Sequence, residues 1–364
     1  MKVLISGGGT GGHVYPAIAI ANKLKEEIKD VEILFVGTKN GIESEIVPKA
    51  GYELKTITVQ GFRRKVSVEN IKRVIKLFKG LEQSRRIIKS FRPDIVIGTG
   101  GYVCGPVVFN AAVNKIPTVI HEQNAFPGIT NKILSKVVNK ILISFEDAKK
   151  HFKDKDNIVL TGNPVRKEIL HSNKTTSRRK LGIAEDKKMV LCVGGSGGAK
   201  KLNDCMLSII PNFIKEDIQF IHVTGKNHYD DFINSIGDVN LKGCQKIIPY
   251  LDDMANALAA CDLVICSAGA ITLAEVTALG KPSIVIPKAY TAENHQEFNA
   301  KSIEKKGAGI AILEKHLTSN KLDKTIFKIL GDREKLKSME KNSKSIGNPD
   351  SLNIIYKEII DMLK

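Results

Sequence analysis

Tryptophan is absent from the 364 residues, and the aromatic side chains together make up only 5%. So few rings offer little for successive nucleobases to stack on, which argues against a nucleic-acid channel. No apolar run approaches the roughly 18 residues a membrane-spanning helix needs. Nor is there a signal-peptide core, because after Met1-Lys2 only Val3 to Ser6 precede a run of glycines; a cytoplasmic protein is expected. The six cysteines (Cys104, Cys192, Cys205, Cys244, Cys261, Cys266) form no Cys-x-x-Cys pair and no cluster with histidine. Buried reduced thiols are therefore expected in place of a zinc or redox centre. Acids are scarce too: 39 Asp and Glu against 56 Lys and Arg leave a formal charge of +17. Such a balance calls for an anionic partner, whether nucleic acid, anionic lipid or a phosphorylated substrate.

What is present is a repeated α/β pattern. Val3-Leu4-Ile5, Ile33 to Val36, Ile95 to Gly98, Thr118 to His121 and Ile141 to Ser144 are short apolar runs separated by helix-length segments such as Val14 to Ile28. Unbroken apolar runs mark strands covered on both faces, as in a parallel sheet. The pattern returns at Met189 to Val193, Phe220 to Val223, Lys246 to Pro249, Leu263 to Cys266 and Ser283 to Pro287. Two Rossmann-like, doubly wound α/β domains with a cleft between them are expected. Their bounds are 1–163 and 164–345, with the junction at Gly162 to Arg166, and a last amphipathic helix covers Ser351 to Lys364.

Three glycine-rich turns follow strands: Gly7 to His13, Gly98 to Tyr102 and Gly194 to Gly198. Glycine lets a backbone approach a phosphate, and the helix that follows offers unpaired N–H groups and a favourable dipole. Gly7, Gly9 and Gly12 satisfy Gly-x-Gly-x-x-Gly, but a dinucleotide site also needs an acid at the end of the second strand. That strand ends Phe35-Val36-Gly37-Thr38, and Glu32 sits at its start. The third turn lacks the Gly-Lys-Ser/Thr of a P-loop. No redox cofactor is expected; two phosphorylated substrates meeting at glycine turns are.

The runs GGGTGGHVYPA (7–17), GTGGYVCGP (98–106), HEQNAFPGITNK (121–132), GNPVR (162–166), VGGSGGAK (193–200), SAGAITLAE (267–275) and ENHQEFNA (293–300) occur in this order. Jointly they make the chain resemble the MurG family, UDP-N-acetylglucosamine:N-acetylmuramyl-(pentapeptide) pyrophosphoryl-undecaprenol N-acetylglucosamine transferase. The resemblance implies a GT-B architecture whose first domain serves the acceptor and membrane and whose second serves UDP-GlcNAc, with residues 346–364 crossing back to the first. It also implies metal-independent transfer of GlcNAc from UDP-GlcNAc to the muramyl C4 hydroxyl of lipid I, giving lipid II with inversion. The enzyme would be peripheral on the cytoplasmic face of the membrane, with other cell-wall synthesis proteins as candidate partners. Asp154-Lys155-Asp156, the one Asp-x-Asp, lies in a charged loop and is expected to be solvated surface.

On the same resemblance, Ala270, Ile271, Thr272, Leu273, Ala274 and Glu275 contact the nucleotide, and Glu275 holds the ribose. Ser196 donates to a phosphate, Leu251 meets uracil through its backbone, and Gln296 and Asn299 read the GlcNAc hydroxyls. Arg166 clamps the donor, and Thr10, Gly11, Gly12 and Asn124 approach it from the first domain. Gly100, Gly101 and Tyr102 are assigned to the acceptor diphosphate. Inversion in one displacement needs a base within reach of the acceptor hydroxyl. His13 is the leading choice, His121 and Glu122 are alternatives, and His13 has capping or acceptor-phosphate binding as other roles.

Residues 61–92 carry eleven basic side chains (Arg63, Arg64, Lys65, Lys72, Arg73, Lys76, Lys79, Arg85, Arg86, Lys89, Arg92) against Glu69 and Glu82. Ile71, Val74, Ile75, Leu77, Phe78 and Leu81 are interleaved. A basic amphipathic helix suits an anionic inner-leaflet surface, although such a stripe also serves as an ordinary core face. Two rivals remain: a UDP-GlcNAc epimerase of like architecture, which needs no lipid acceptor, and a nucleic-acid binder, which leaves the glycine turns unexplained.

Overall fold

The computed structural model describes residues 1–61, 68–153, 156–195, 197–289 and 291–364, and only the backbone at 68–70 and 292. They form two compact units, Met1–Pro164 with Asp350–Lys364, and Val165–Pro349.

The first unit is built on strands β1 (Lys2–Gly7), β2 (Glu32–Gly37), β3 (Glu53–Thr56), β4 (Ile95–Gly100), β5 (Thr118–Glu122), β6 (Lys140–Ile143) and β7 (Ile158–Leu160). All pairs are parallel, in the order β3-β2-β1-β4-β5-β6-β7. Side chains alternate across the sheet, and its central strands β1, β4 and β5 are covered on both faces. Val3 and Ile5 pack with Val14, Ala17, Ile20 and Leu24 of the helix Gly11–Glu27, whereas Leu4 points to the opposite core with Val103, Val107 and Val108. The C-terminal helix Ser351–Asp361 joins the first of these cores through Ile355 and Ile359, and Lys140 Nζ reaches Glu358 Oε2 at 2.5 Å.

The second unit has β8 (Met189–Val193), β9 (Gln219–Val223), β10 (Lys246–Ile248), β11 (Leu263–Ser267), β12 (Ser283–Ile286) and β13 (Gly309–Ala311). These are parallel in the order β10-β9-β8-β11-β12-β13. Phe213, Phe220, Ile265 and Ile284 lie in its core. At the amino end of β11 the buried Asp262 accepts from Arg178 Nη2 at 2.7 Å, Lys174 Nζ at 2.6 Å and Met189 N at 2.8 Å. Burial alone would raise this carboxyl, but those donors hold it below the usual range.

In each sheet the winding direction reverses beside the first strand, between β1 and β4 and between β8 and β11. A doubly wound sheet opens its ligand crevice at the carboxyl ends of such strands. All three glycine turns, and the Ser267–Ala270 turn after β11, occupy those positions. The structure departs from the sequence reading at β3, β7 and β13, three short edge strands absent from the expected set. It departs again in the first helix, which starts at Gly11, not Val14.

Candidate functional site

The turn after β1 is packed glycine against glycine. Gly8 N donates to Gly100 O at 3.3 Å. Gly101 has φ +83°, and a Cβ there would lie 2.3 Å from the Gly8 carbonyl oxygen; at Gly100, φ +110°, it would lie 2.8 Å from His13 Cδ2. The turns of β1 and β4 therefore close on each other only where side chains are missing, and His13 is pressed against Gly100. Thr10 caps the helix with extended backbone and no side-chain cap bond. The amides of Gly11 and Gly12 belong to the first turn, where the helix has no internal acceptors for them. Tyr102 lies alongside Gly9 and Gly61.

His13 Nδ1 is 3.0 Å from Gly8 O and 3.2 Å from Thr10 Oγ1. A carbonyl only accepts, so Nδ1 carries the proton and the neutral ring has its lone pair on Nε2. Thr99 Oγ1 fixes the helix here by donating to His13 O at 2.8 Å. His121 is different. It is fully enclosed, with Nε2 3.0 Å from Gly162 O and Nδ1 3.0 Å from Gln123 Nε2. Burial pushes its pKa down to about 4 against a small upward pull from the Gly162 carbonyl. Both ring nitrogens serve the fold. Glu122 is likewise buried: Oε1 accepts from Asn124 N and Nδ2 at 3.0 and 3.2 Å, and Oε2 from Gly128 N and Asn131 Nδ2 at 3.2 and 2.8 Å. It shapes the loop that presents Asn124. Of the three base candidates, His121 and Glu122 are enclosed with their polar atoms engaged by the fold, whereas His13 is partly exposed at the glycine turn after β1.

In the second unit, Ser196 lies outside the described residues. Around it, Gly198 N donates to Gly195 O at 2.9 Å, and Lys288 Nζ, just past β12, donates to Gly198 O at 2.6 Å. Burial lowers the Lys288 pKa, with Glu314 pulling the other way. Gln296 Oε1 accepts from Lys288 N at 2.9 Å. Asn299, on the same helix His295–Lys305, is fully enclosed and donates to Ala268 O at 3.1 Å, so it braces the turn leading into the helix Ala270–Ala278. That helix starts after Gly269 with no side-chain cap. Of its first residues Leu273 is buried in the fold, while Ile271, Thr272 and Ala274 are partly open. Glu275 is buried and held bidentately by Arg166, Nε to Oε1 at 2.6 Å and Nη2 to Oε2 at 3.2 Å. The two residues assigned to the donor from distant motifs thus meet. Tyr250, beside the partly buried Leu251, lines a shallow pocket with Gly197, Lys226 and Asn227, and Lys226 Nζ stands 5.3 Å from the Tyr250 ring centroid.

Sequence reading missed Lys288, Lys226 and Tyr250, and also Glu43, whose carboxylate accepts from Gly9 N at 3.0 Å behind the first turn. Only Lys288 leaves a trace in the sequence, as a lone cation just past an apolar run. Among the described residues no three His, Cys, Asp or Glu side chains gather to hold a metal ion; residues 154 and 155 lie outside them. The six cysteines are unpaired and buried.

The helix Val68–Phe91 turns part of its apolar stripe outward. Ile71, Val74, Ile75 and Phe78 are 62%, 40%, 64% and 67% exposed, whereas Ile88 near its end is buried. Arg63, Arg64 and Lys65 lie outside the described residues. No described helix is long and apolar enough to cross a membrane.

Residues 3–143 match the glycosyltransferase family 28 N-terminal domain and residues 189–353 the family 28 C-terminal domain. A UDP-N-acetylglucosamine--N-acetylmuramyl-(pentapeptide) pyrophosphoryl-undecaprenol N-acetylglucosamine transferase of Clostridioides difficile is 67% identical, over 99% of this chain and 88% of that protein. Among solved structures, MurG of Acinetobacter baumannii aligns with a TM-score of 0.80 at 27% identity, over 99% of both chains. A Neisseria meningitidis UDP-GlcNAc 2-epimerase bound to UDP-GlcNAc aligns at 0.68 over 99% of this chain and 100% of its own, with 14% identity. That last likeness is one of fold alone.

Proposed function

The chain belongs to glycosyltransferase family 28, and from that membership we propose that it moves GlcNAc from UDP-GlcNAc to the C4 hydroxyl of the muramyl sugar of undecaprenyl-pyrophosphoryl-MurNAc-pentapeptide, converting lipid I to lipid II. The observation that carries this reading is near-complete coverage by a closely related transferase. The epimerase alternative has only a shared fold behind it.

The reaction is one displacement. The acceptor C4 oxygen bonds to the anomeric carbon, the bond from that carbon to the UDP oxygen breaks, and UDP departs with the electron pair. The hydroxyl proton goes to His13 Nε2. A neutral imidazole with Nδ1 protonated and anchored to a backbone carbonyl suits that task. Gly100, Gly101 and Tyr102 serve the acceptor diphosphate beside His13, and the amides of Thr10, Gly11 and Gly12, with Asn124, meet the donor. In the second unit Ser196 and the amides of Ala270 to Ala274 take the donor pyrophosphate, with Leu251 at the uracil. Glu275 receives the ribose hydroxyls, and Arg166 holds the carboxylate ready while adding positive charge. Gln296 reads the sugar, and Asn299 contributes by fixing the Ala268 turn.

The exposed apolar stripe Ile71, Val74, Ile75 and Phe78, flanked by Lys72, Lys76 and Lys79, seats the enzyme on an anionic cytoplasmic leaflet where its lipid-linked acceptor resides. Exposure of the stripe supports this over a core-facing role.

The test is transfer of labelled GlcNAc to a soluble lipid I analogue, with a chelator present, for wild type and His13→Ala. Product from wild type and a loss of at least about a hundredfold in kcat for the variant are expected for a general base. UDP-GlcNAc bound without product formation would overturn the transferase reading.

A further inference from the structure

We propose that Glu43 is a positioning residue for His13, acting through the single peptide unit between Gly8 and Gly9. This rests on His13 being the base.

The Gly9 N–H donates to Glu43 Oε2 at 3.0 Å, and the Gly8 carbonyl oxygen accepts from His13 Nδ1 at 3.0 Å. Both atoms belong to one amide group. Carboxylate, peptide and imidazole therefore stand in series, with the carboxylate polarising the N–H and making the carbonyl a stronger acceptor. A stronger acceptor at Nδ1 holds the ring's orientation and tautomer and favours the imidazolium formed as the hydroxyl proton arrives, the service a carboxylate renders directly in hydrolytic triads.

The surroundings are built for this carboxylate. Glu43 is fully enclosed, and Oε1 accepts from Thr38 N at 2.9 Å and Thr38 Oγ1 at 2.7 Å. A Cβ at Gly8, Gly37 or Gly41 would come within 2.6, 2.5 or 2.2 Å of its side chain, so three glycines leave room for one acid. No lysine or arginine pairs with it among the described residues. Burial raises its pKa, but the Thr38 hydroxyl and the Gly9 and Thr38 amides outweigh that and hold it below the ordinary value, so it is charged at neutral pH. Among the described residues, the other titratable groups facing the turn are Tyr15 on the helix that carries His13, Tyr102 beside Gly9, and Cys104 behind Gly100. Burial pushes the Cys104 thiol up to about 12, and it donates to Ser6 O. Glu43 is the group there that brings charge.

The test is kcat/KM for GlcNAc transfer between about pH 5.5 and 9 with wild type, Glu43→Gln, Glu43→Asp and His13→Ala, alongside nitrogen-15 histidine NMR of the intact protein. Expected for Glu43→Gln are an acidic limb displaced downward by about one pH unit, a plateau about tenfold lower, little change in donor KM, and a matching fall in the His13 titration midpoint. Glu43→Asp restores part of each. A slower, less stable Glu43→Gln enzyme with limb and midpoint unmoved would mean that Glu43 only props the turn, and the proposal fails. Should Glu43→Gln not fold, the wild-type spectrum still decides, because His13 protonated on Nε2 would overturn the proposal. A limb that survives in His13→Ala removes His13 as base and with it the mechanism above; the NMR midpoints then report separately on the Glu43 coupling.

Discussion

Replacing Ile75 and Phe78 together by serine separates a membrane-seating stripe from a structural one. Full burial of such a side chain contributes about 1.5–3 kcal/mol. With 64% and 67% of their surfaces still open to water, each has about 1–2 kcal/mol left to gain from a lipid interface. The pair therefore accounts for about 2–4 kcal/mol of membrane affinity, which at 1.4 kcal/mol per decade is between about thirtyfold and several hundredfold. The fold should scarcely notice. Serine and isoleucine have near-equal helix propensities, and exposed substitutions stay within about 0.5 kcal/mol of neutral. The assay is sedimentation with anionic vesicles at two salt concentrations, paired with thermal melting. Lost vesicle binding with an unchanged Tm, and undiminished turnover on a soluble acceptor, is the expected outcome. Retained binding, or a Tm drop of many degrees, would refute the reasoning by showing that the stripe packs against protein.

His121 and His222 are enclosed and neutral, with pKa values pushed by burial down to about 4 and about 3. Unfolded histidine titrates near 6.5, so their contribution is intact above that pH and is lost as pH falls from about 6.5 through the folded values; at pH 5 each unit should be about 2 kcal/mol weaker in urea unfolding from this cause, and His222→Leu should flatten the slope for the second unit alone. Arg166→Ala and Glu275→Ala should each weaken UDP-GlcNAc binding by about tenfold or more, and the double variant should fall short of the sum, because the residues hold each other; additive calorimetric losses would argue against a shared role. Gly101→Ala should cost about 1–2 kcal/mol from its positive φ and more from collision with the Gly8 carbonyl, seen as a lowered Tm with collapsed turnover.

The central strands were legible because β1, β4, β8 and β11 are buried on both faces and read as unbroken apolar runs. Edge strands carry no such mark: β3 is Glu-Leu-Lys-Thr and largely exposed, and β13 is three residues opening on glycine. The start of the first helix was hidden because Gly11 and Gly12 have no side chains to show a period. At the site, the glycine turns and the two motifs that bring Arg166 to Glu275 were visible as motifs, but their pairing is a three-dimensional fact. Glu43 was invisible for a related reason. Its partners Gly9 and Thr38 are set by the fold, and no spacing rule links an acid to the turns that follow two different strands. Orientation of the basic helix was undecided in sequence, since the same stripe faces water or core depending on what the fold packs beneath it.

The return of Ser351–Asp361 to the first unit has a consequence for synthesis. A ribosome delivers the whole of Val165–Pro349 before it delivers Ile355 and Ile359, so the second unit has every residue of its own core while the first still lacks one wall of its β1 face. Folding during translation should finish at the start of the chain last, and a nascent chain halted before residue 350 would hold Ala17, Ile20 and Leu24 partly uncovered, a natural landing place for a chaperone.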